Sequence, residues 1–258
     1  MFVSFRFPME TLKRDRKITV YLPDDYYQSK KQYPVLYIQD GQNAFFDRLS
    51  YTGVSWGFLD YAQFMNLDMI MVAIPCNFAE YKREDEYGPW VLSDELSARE
   101  TNGKRLLGGE GKKYAEWLVN DLKPYIDQRF QTDVHNCGIV GSSMGAIIST
   151  YVTLKYPNVF SKCAALSTAF WMYMDEFEGL IQESDLSAVE KFYFDLGEFE
   201  GCGDKETDEW YIESNNMIYG MLKEKIPQLE YHFFENETHN EAAWRERVPL
   251  FMDYLFGE

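Results

Sequence analysis

The chain has 258 residues, of which 46% are hydrophobic, 17% aromatic and 26% charged. This composition excludes long disorder and can form one hydrophobic core, so we expect a single domain spanning residues 1–258. The formal net charge of −17 disfavours contact with phosphate backbones and anionic lipids, so neither nucleic acid nor a membrane is an expected partner.

Apolar and polar residues alternate with a period of two in residues 2–7 and 17–22, which predicts an antiparallel hairpin at the N-terminus. Continuous apolar runs, typical of strands buried on both faces, occupy residues 34–38, 69–74, 137–140, 163–166 and 192–194. Segments with a helical period lie between or after them, at residues 56–65, 112–128, 146–155, 209–225 and 241–256. The alternation predicts an α/β fold with a mostly parallel central sheet and helices on both faces.

Residues 77–112 show no clear period and are rich in charge and glycine. A stretch of this length within a compact domain is usually a lid or a binding loop, and its aromatic rings favour packing over a disordered excursion. We expect this loop and residues 169–187 to carry substrate specificity. Tyr87, Trp90 and Trp171 are the predicted substrate-binding rings, although they could equally pack the loop shut.

The four cysteines are widely spaced and include no CxxC pair, which indicates ordinary reduced thiols. The N-terminal residues lack the apolar run of a signal peptide, so we expect a cytoplasmic location. Residues 134–154 carry no Asp, Glu, Lys or Arg and are long enough to span a bilayer. Their glycines and polar side chains fit a buried strand, a turn and a buried helix face better.

Gly141-Ser142-Ser143-Met144-Gly145 fits the pattern G-x-S-x-G, with Ser143 at its centre. The pattern alone is short enough to arise by chance, but here a buried strand runs into it and a helical segment follows. A nucleophile elbow requires that strand-to-helix turn, with glycines that let the two elements approach closely. The helix start also places free N–H groups beside the serine oxygen. We therefore predict that Ser143 is a catalytic nucleophile.

A serine hydroxyl needs a positioned base, and the chain offers three histidines. His135 precedes the strand that leads to Ser143, so it belongs at the opposite edge of the sheet. His232 lies inside a predicted strand, where a half-buried structural imidazole is expected. His239 follows that strand and precedes a helix, at the sheet edge where ligands bind in open α/β folds. We predict that His239 is the base.

The acid that orients such a histidine comes between the serine and the histidine in chain order. Four carboxylates follow the strand at residues 192–194, namely Asp195, Glu198, Glu200 and Asp204. We choose Glu200, because the turn at Gly197 lets the chain leave the strand first, and Asp204 is the second choice. A solvated acidic loop would also account for any one of them.

Acyl transfer also needs N–H donors for the oxyanion. The first predicted donor is the backbone amide of Met144, the residue after the nucleophile. The second is the amide of Gln42, in the turn that follows residues 34–38, because Gly41 permits a sharp bend there. The segment would also make sense as a tight turn alone.

Five blocks of the sequence, in order, resemble the putative-esterase family, which groups esterase D, enterochelin-esterase-like and feruloyl-esterase-like α/β hydrolases. They are residues 33–43, 83–87, 141–145, 167–171 and 239–244. The resemblance covers nearly the whole chain and implies an α/β-hydrolase fold, catalytic Ser143 and His239, and oxyanion amides from Met144 and Gln42. The family's acid usually lies in a G-T-x-D or G-T-x-E turn, from which Gly197-Glu198-Phe199-Glu200 departs by Glu198 in place of threonine.

These features together predict a serine hydrolase that cleaves a small, neutral carboxylic ester through an acyl-enzyme. Neither a metal nor an organic cofactor is expected, because the sequence has no ligand cluster with zinc spacing, no G-x-G-x-x-G and no P-loop. The same catalytic groups could serve an acyltransferase, and a hydrolase-fold binding protein without catalysis is the alternative outside enzymes. The sequence leaves the oligomeric state open.

Overall fold

The structure is a computed structural model that describes residues 1–257. At its centre is a sheet of strands β1 Phe2–Met9, β2 Arg14–Tyr21, β3 Tyr33–Gln39, β4 Ile70–Ile74, β5 Thr132–Ser142, β6 Lys162–Leu166, β7 Lys191–Phe199 and β8 Leu229–Thr238. The spatial order is β1-β2-β4-β3-β5-β6-β7-β8. Strand β2 pairs antiparallel with β1 and β4, whereas β3 to β8 run parallel. The predicted sheet with its antiparallel N-terminal hairpin is thus confirmed.

Helices pack on both faces of the sheet. They are α1 Phe58–Met65, α2 Lys82–Tyr87, α3 Asp94–Thr101, α4 Gly111–Trp117, α5 Lys123–Arg129, α6 Met144–Lys155, α7 Met174–Glu183, α8 Lys205–Leu222 and α9 Glu241–Phe256. Strand β3 shows how the core divides, because successive side chains point to opposite faces. Val35 and Tyr37 join the cluster that contains Ile147 of α6. Leu36 and Ile38 join the other cluster, with α1 and α9.

The predicted helix at residues 112–128 is interrupted. A π-helical turn, Leu118–Leu122, lies between α4 and α5. Pro124 stands in the first turn of α5, and it has no N–H with which to continue the hydrogen-bond ladder of the preceding turn. A single wider turn is a common way for a helix to absorb such a defect.

Residues 77–112 differ from the unstructured loop that the sequence predicts. They contain α2 and α3, and Val91 forms an antiparallel bridge to Gly108. Both helices are too short to display a recognisable period. They are held by tertiary contacts instead, because buried Asp85 pairs with Arg105 at 2.5 Å, and buried Glu86 pairs with two arginines of β2, Arg14 and Arg16.

Residues 134–154 form most of β5 and nearly all of α6, as predicted, with Ser143 between the two. No helix within residues 1–257 is long and apolar enough to cross a membrane.

Candidate active site

The turn between β5 and α6 consists of Ser143 alone. Its backbone has φ 56° and ψ −122°, a conformation that a residue with a side chain adopts only under strain. A Cβ on Gly141 would collide with the backbone carbonyl of Gly145, so this tight crossing requires glycine. The elbow therefore forces the Ser143 side chain outward at the carboxyl end of the parallel strands.

Ser143 lines an open cavity of about 450 Å³ at this edge of the sheet. His239 lines the same cavity, although it is 96 positions further along the chain. Other polar groups in its wall are Asp40, Gln42, Asn43, Thr52, Asn77, Glu80, Arg83, Glu84 and Glu241. The aromatic part of the wall consists of Tyr51, Phe78, Tyr81 and Trp244.

His239 stands between β8 and α9 and is held by Glu200. The imidazole Nδ1 lies 2.6 Å from Glu200 Oε2. The other carboxylate oxygen, Oε1, accepts hydrogen bonds from the Gly197 amide at 2.5 Å and from the Ser167 hydroxyl at 2.7 Å. A carboxylate can only accept, so Nδ1 carries the hydrogen of the His239 contact. This tautomer leaves Nε2 as the basic nitrogen of His239.

Two rings enclose the imidazole of His239. Trp244 packs edge-on at 5.0 Å between ring centroids, and Tyr211 packs at 5.5 Å. The Tyr211 hydroxyl faces the Ser143 side chain, and burial raises the pKa of Tyr211, which keeps it neutral. Within residues 1–257 Ser143 and His239 make no direct hydrogen bond, and such bonds commonly tighten only when substrate binds.

The other three candidate acids have different partners. Asp195 lies within β7 and accepts from a buried arginine at 2.8 Å. Glu198 accepts from a backbone amide at the end of β8 at 2.8 Å. Asp204 is exposed and caps the N-terminus of α8. Of the four carboxylates, the fold brings Glu200 to His239.

The predicted oxyanion donors lie in the turn after β3 and at the first residue of α6. Gln42 lies in a 3-10 turn, Gly41–Asn43, directly after β3, and a Cβ on Gly41 would collide with the backbone of Ile74. Met144 is the first residue of α6, whose initial N–H groups have no partner within the helix. In the described part of the chain neither the Gln42 amide nor the Met144 amide donates to another protein group. Both remain available to a ligand oxygen.

An ion pair that the sequence analysis did not assign fixes the turn that carries Gln42. Arg83 of α2 binds Asp40 with both ends of its guanidinium, Nε to Oδ1 at 2.9 Å and Nη2 to Oδ2 at 2.7 Å. The Asp40 amide donates to the Tyr87 hydroxyl at 2.9 Å. Both blocks appear in the family resemblance, but a contact between residues 43 positions apart has no local sequence signal.

None of the three predicted substrate-binding rings lines the cavity around Ser143, so that prediction needs correction. Tyr87 is fully buried beneath Asp40, where its hydroxyl is already engaged. Trp90 packs on rings of α6 and α7. Trp171 lines a separate depression of about 230 Å³ with Trp210. The prediction used the presence of large rings in long segments, and the structure places all three rings outside the wall of the cavity around Ser143.

Cys76 supplies a thiol to the cavity wall. Burial and the nearby Asp40 carboxylate raise the pKa of this thiol, which keeps it protonated and unreactive. Among residues 1–257, no group of three or more His, Cys, Asp or Glu side chains could hold a metal ion.

The parallel sheet and the strand-to-helix turn at Ser143 define an α/β hydrolase. A sequence profile of the family described as Putative esterase matches residues 9–250, and the chain belongs to this family. The resemblance noted in the sequence is thereby confirmed, and it identifies the chain as a hydrolase of ester substrates.

Individual relatives match along nearly the whole chain. The protein YbbA of Bacillus subtilis is 27% identical over 250 residues, which cover 95% of this chain and 94% of the relative. An endo-1,4-beta-xylanase/feruloyl esterase of Xylanibacter ruminicola is 26% identical over 257 residues, covering 96% of this chain and 30% of that protein. The crystal structure of an IroE-like serine hydrolase from Shewanella oneidensis superimposes with a TM-score of 0.73 at 17% identity, over 99% of this chain and 79% of that one.

Proposed function

We propose that this protein is a serine esterase that hydrolyses a small, neutral carboxylic ester through a covalent acyl-enzyme. The supporting observation is that Ser143, in a strained elbow, and His239, held by Glu200 at 2.6 Å, line one open cavity. A strained nucleophile and a base of fixed tautomer in a shared cavity are the requirements of this chemistry.

In this proposal Ser143 Oγ attacks the ester carbonyl carbon while His239 Nε2 takes the hydroxyl proton. The oxyanion of the tetrahedral intermediate accepts from the amides of Met144 and Gln42. Glu200 stabilises the imidazolium and remains ionised. The intermediate collapses, the alcohol leaves with the proton from Nε2, and an acyl ester on Ser143 remains. Water, deprotonated by His239, then attacks this ester, and the carboxylic acid departs as Ser143 regains its proton.

Covalent labelling tests the proposal directly. A fluorophosphonate probe is expected to add one phosphonyl group per chain, on the peptide that contains Ser143, as measured by mass spectrometry. The Ser143→Ala variant should remain unlabelled, whereas Ser142→Ala should be labelled like the wild type. Labelling that persists in Ser143→Ala would contradict the mechanism.

The four carboxylates should differ in their effects when each is changed to its amide. We expect the largest loss of kcat at Glu200→Gln, up to about 10⁴-fold, because the amide disrupts the tautomer and no longer stabilises the imidazolium. Asp204→Asn is the matched surface control and should retain nearly full activity, and Glu198→Gln should also have a small effect. Steady-state rates on p-nitrophenyl acetate check this ranking. Losses below about tenfold at every one of the four, including Asp195→Asn, would exclude Glu200 as the acid.

The rate of hydrolysis should depend on the charge of the substrate, because the protein has a net negative charge and carboxylates line the cavity wall. Carboxylates of Asp40, Glu80, Glu84 and Glu241 face the cavity, and the cation Arg83 is already paired with Asp40. We expect kcat/KM for p-nitrophenyl butyrate to exceed that for p-nitrophenyl monosuccinate, an anionic ester with the same acyl length. The gap should be widest at low salt, since the Debye length falls from about 30 Å at 0.01 M to about 10 Å at 0.1 M.

The same reasoning disfavours polyanionic siderophore lactones, although the resemblance includes enterochelin-esterase-like members. A kcat/KM for a trianionic lactone well above that for neutral esters would contradict this expectation. It would then point to Arg83 as the group that receives the negative charge.

A further inference from the structure

Behind the Glu200–His239 contact lies the hydroxyl of Ser167, which makes three hydrogen bonds. It donates to Glu200 Oε1 at 2.7 Å. It accepts from the indole Nε1 of Trp244 at 2.9 Å and from Nη1 of Arg247 at 3.3 Å. Indole and guanidinium groups can only donate, so they occupy the lone pairs of the hydroxyl. The single hydroxyl proton is therefore left to point at the Glu200 carboxylate.

Arg247 is itself fixed from behind. Its Nη1 donates to Asp195 Oδ1 at 2.8 Å, and the Tyr193 hydroxyl donates to the other oxygen of Asp195 at 3.0 Å. Arg247, Asp195 and Ser167 are all at least 98% buried. A buried guanidinium must be balanced by a counter-charge, and Asp195 supplies it. The arginine thus presents a defined donor to Ser167.

These groups come from elements that already frame the site. Ser167 directly follows β6, has φ 47°, and its amide donates to the Asp195 carbonyl at 3.0 Å. Trp244 and Arg247 are three residues apart on α9, so they lie on the same face of the helix that begins just after His239. Helix α9 therefore positions Trp244 and Arg247, which donate to Ser167, and it also anchors the segment that carries His239.

We infer that Ser167 is a positioning residue, whose hydroxyl, oriented by Trp244 and Arg247, donates to the Glu200 carboxylate and holds it turned toward His239. The inference rests on the proposed serine esterase function. The hydroxyl does not touch the reacting atoms. It acts through the acid, and the acid acts through the base.

Ser167→Ala removes the hydroxyl, and steady-state kinetics on p-nitrophenyl acetate measure the effect. We expect kcat to fall about tenfold to hundredfold, the range for a hydrogen bond to a charged group, with KM nearly unchanged. The hydroxyl stabilises the anionic carboxylate, so without it the Glu200–His239 pair binds a proton more readily. The acid limb of the pH profile of kcat/KM should therefore move to higher pH.

Neighbouring ionisable groups do not account for such a shift. Those that face the pair or the cavity are Asp40, Tyr51, Cys76, Glu80, Tyr81, Arg83, Glu84, Tyr193, Asp195, Cys202, Tyr211, Tyr231, Glu241 and Arg247. Burial raises the pKa of Asp195 to about 6, so it titrates in the relevant range. It is present in both the wild type and Ser167→Ala, so a limb that reports an unchanged Asp195 would appear in both profiles.

Two further variants separate positioning from folding. Ser97→Ala is the matched control. Ser97 lies on α3, away from the site, and is also buried. Its hydroxyl donates to the Leu92 carbonyl and accepts from the Leu107 amide. The substitution should lower the melting temperature without changing kcat or the pH profile. Ser167→Gly deletes the same hydroxyl at a position where φ is positive and glycine is favoured. It should show the kinetics expected of Ser167→Ala, and it takes the place of that variant where Ser167→Ala folds poorly.

Combination with Glu200→Gln gives the decisive comparison. If Ser167 acts through Glu200, Ser167→Ala should cost less than about threefold in kcat in the Glu200→Gln background, since groups that act as a unit are not additive. An unchanged kcat and acid limb in folded Ser167→Ala or Ser167→Gly, or a full additive loss in the double variant, would overturn the inference. Retained activity in Ser143→Ala would instead overturn the proposed function itself.

Discussion

Replacing Ser143 by alanine is expected to abolish the hydrolysis of p-nitrophenyl acetate, with kcat reduced by about 10⁴-fold or more. The variant lacks the oxygen that forms the acyl-enzyme, while His239, Glu200 and both oxyanion amides stay in place. Alanine at this position keeps the positive φ, so the elbow itself should survive. The release of p-nitrophenol, followed at 405 nm, measures the loss.

Ser142→Ala provides the neighbouring control. Ser142 is the last residue of β5, and its side chain is 99% buried. Its carbonyl, which accepts from Arg83 at 3.4 Å, is unaffected by the substitution. Most of the activity should remain. An inactive Ser142→Ala beside an active Ser143→Ala would show that the elbow had been assigned to the wrong serine.

His239→Ala should lose activity about as completely as Ser143→Ala. Without the imidazole, the group that takes the serine proton in the proposed mechanism is missing. The double variant should be little worse than either single one, because members of a catalytic unit are strongly non-additive. Parallel measurements of kcat/KM for the three variants check this expectation.

His232→Ala is the companion control for the loss of an imidazole. His232 lies within β8, where its ring stacks on Tyr193 at 5.2 Å and Nε2 lies 3.1 Å from Glu230. The substitution should lower the melting temperature and leave the rate largely intact. Turnover at the wild-type rate by folded His239→Ala would remove His239 from the mechanism.

Much of the architecture is written locally in the sequence. The apolar runs at residues 34–38 and 69–74 predict buried strands, because only strands covered on both faces can be apolar throughout. Glycines at 141 and 145 predict the elbow, and a Cβ on Gly141 would indeed collide with the backbone of Gly145 where β5 and α6 cross. The position of His239 after a strand follows from the same local pattern. These inferences need only neighbours in the chain, so a single sequence is sufficient.

The arrangement around the base was decided by tertiary structure. Four carboxylates lie within β7 or shortly after it, and their order in the chain cannot say which one turns toward β8. The contact of Glu200 with His239 depends on a pairing between β7 and β8 whose register shifts between Gly197 and Phe199. Ser167, Trp244 and Arg247 converge behind that contact from two distant segments, and no local pattern marks them as partners.

The assignment of aromatic rings failed for a related reason. The sequence shows that Tyr87, Trp90 and Trp171 lie in the segments 77–112 and 169–187. It does not show their role, because a ring that faces a ligand and a ring that fills a core bury similar apolar surface. Whether a given ring faces a ligand or fills the core is set by how the neighbouring helices pack around it, as α6 and α7 do around Trp90. The sequence by itself therefore determined the fold class and led to the proposed roles of Ser143 and His239. The contact of Glu200 with His239, the cavity wall and the polar support behind Glu200 required the folded chain, because they depend on distances between segments that are far apart in sequence.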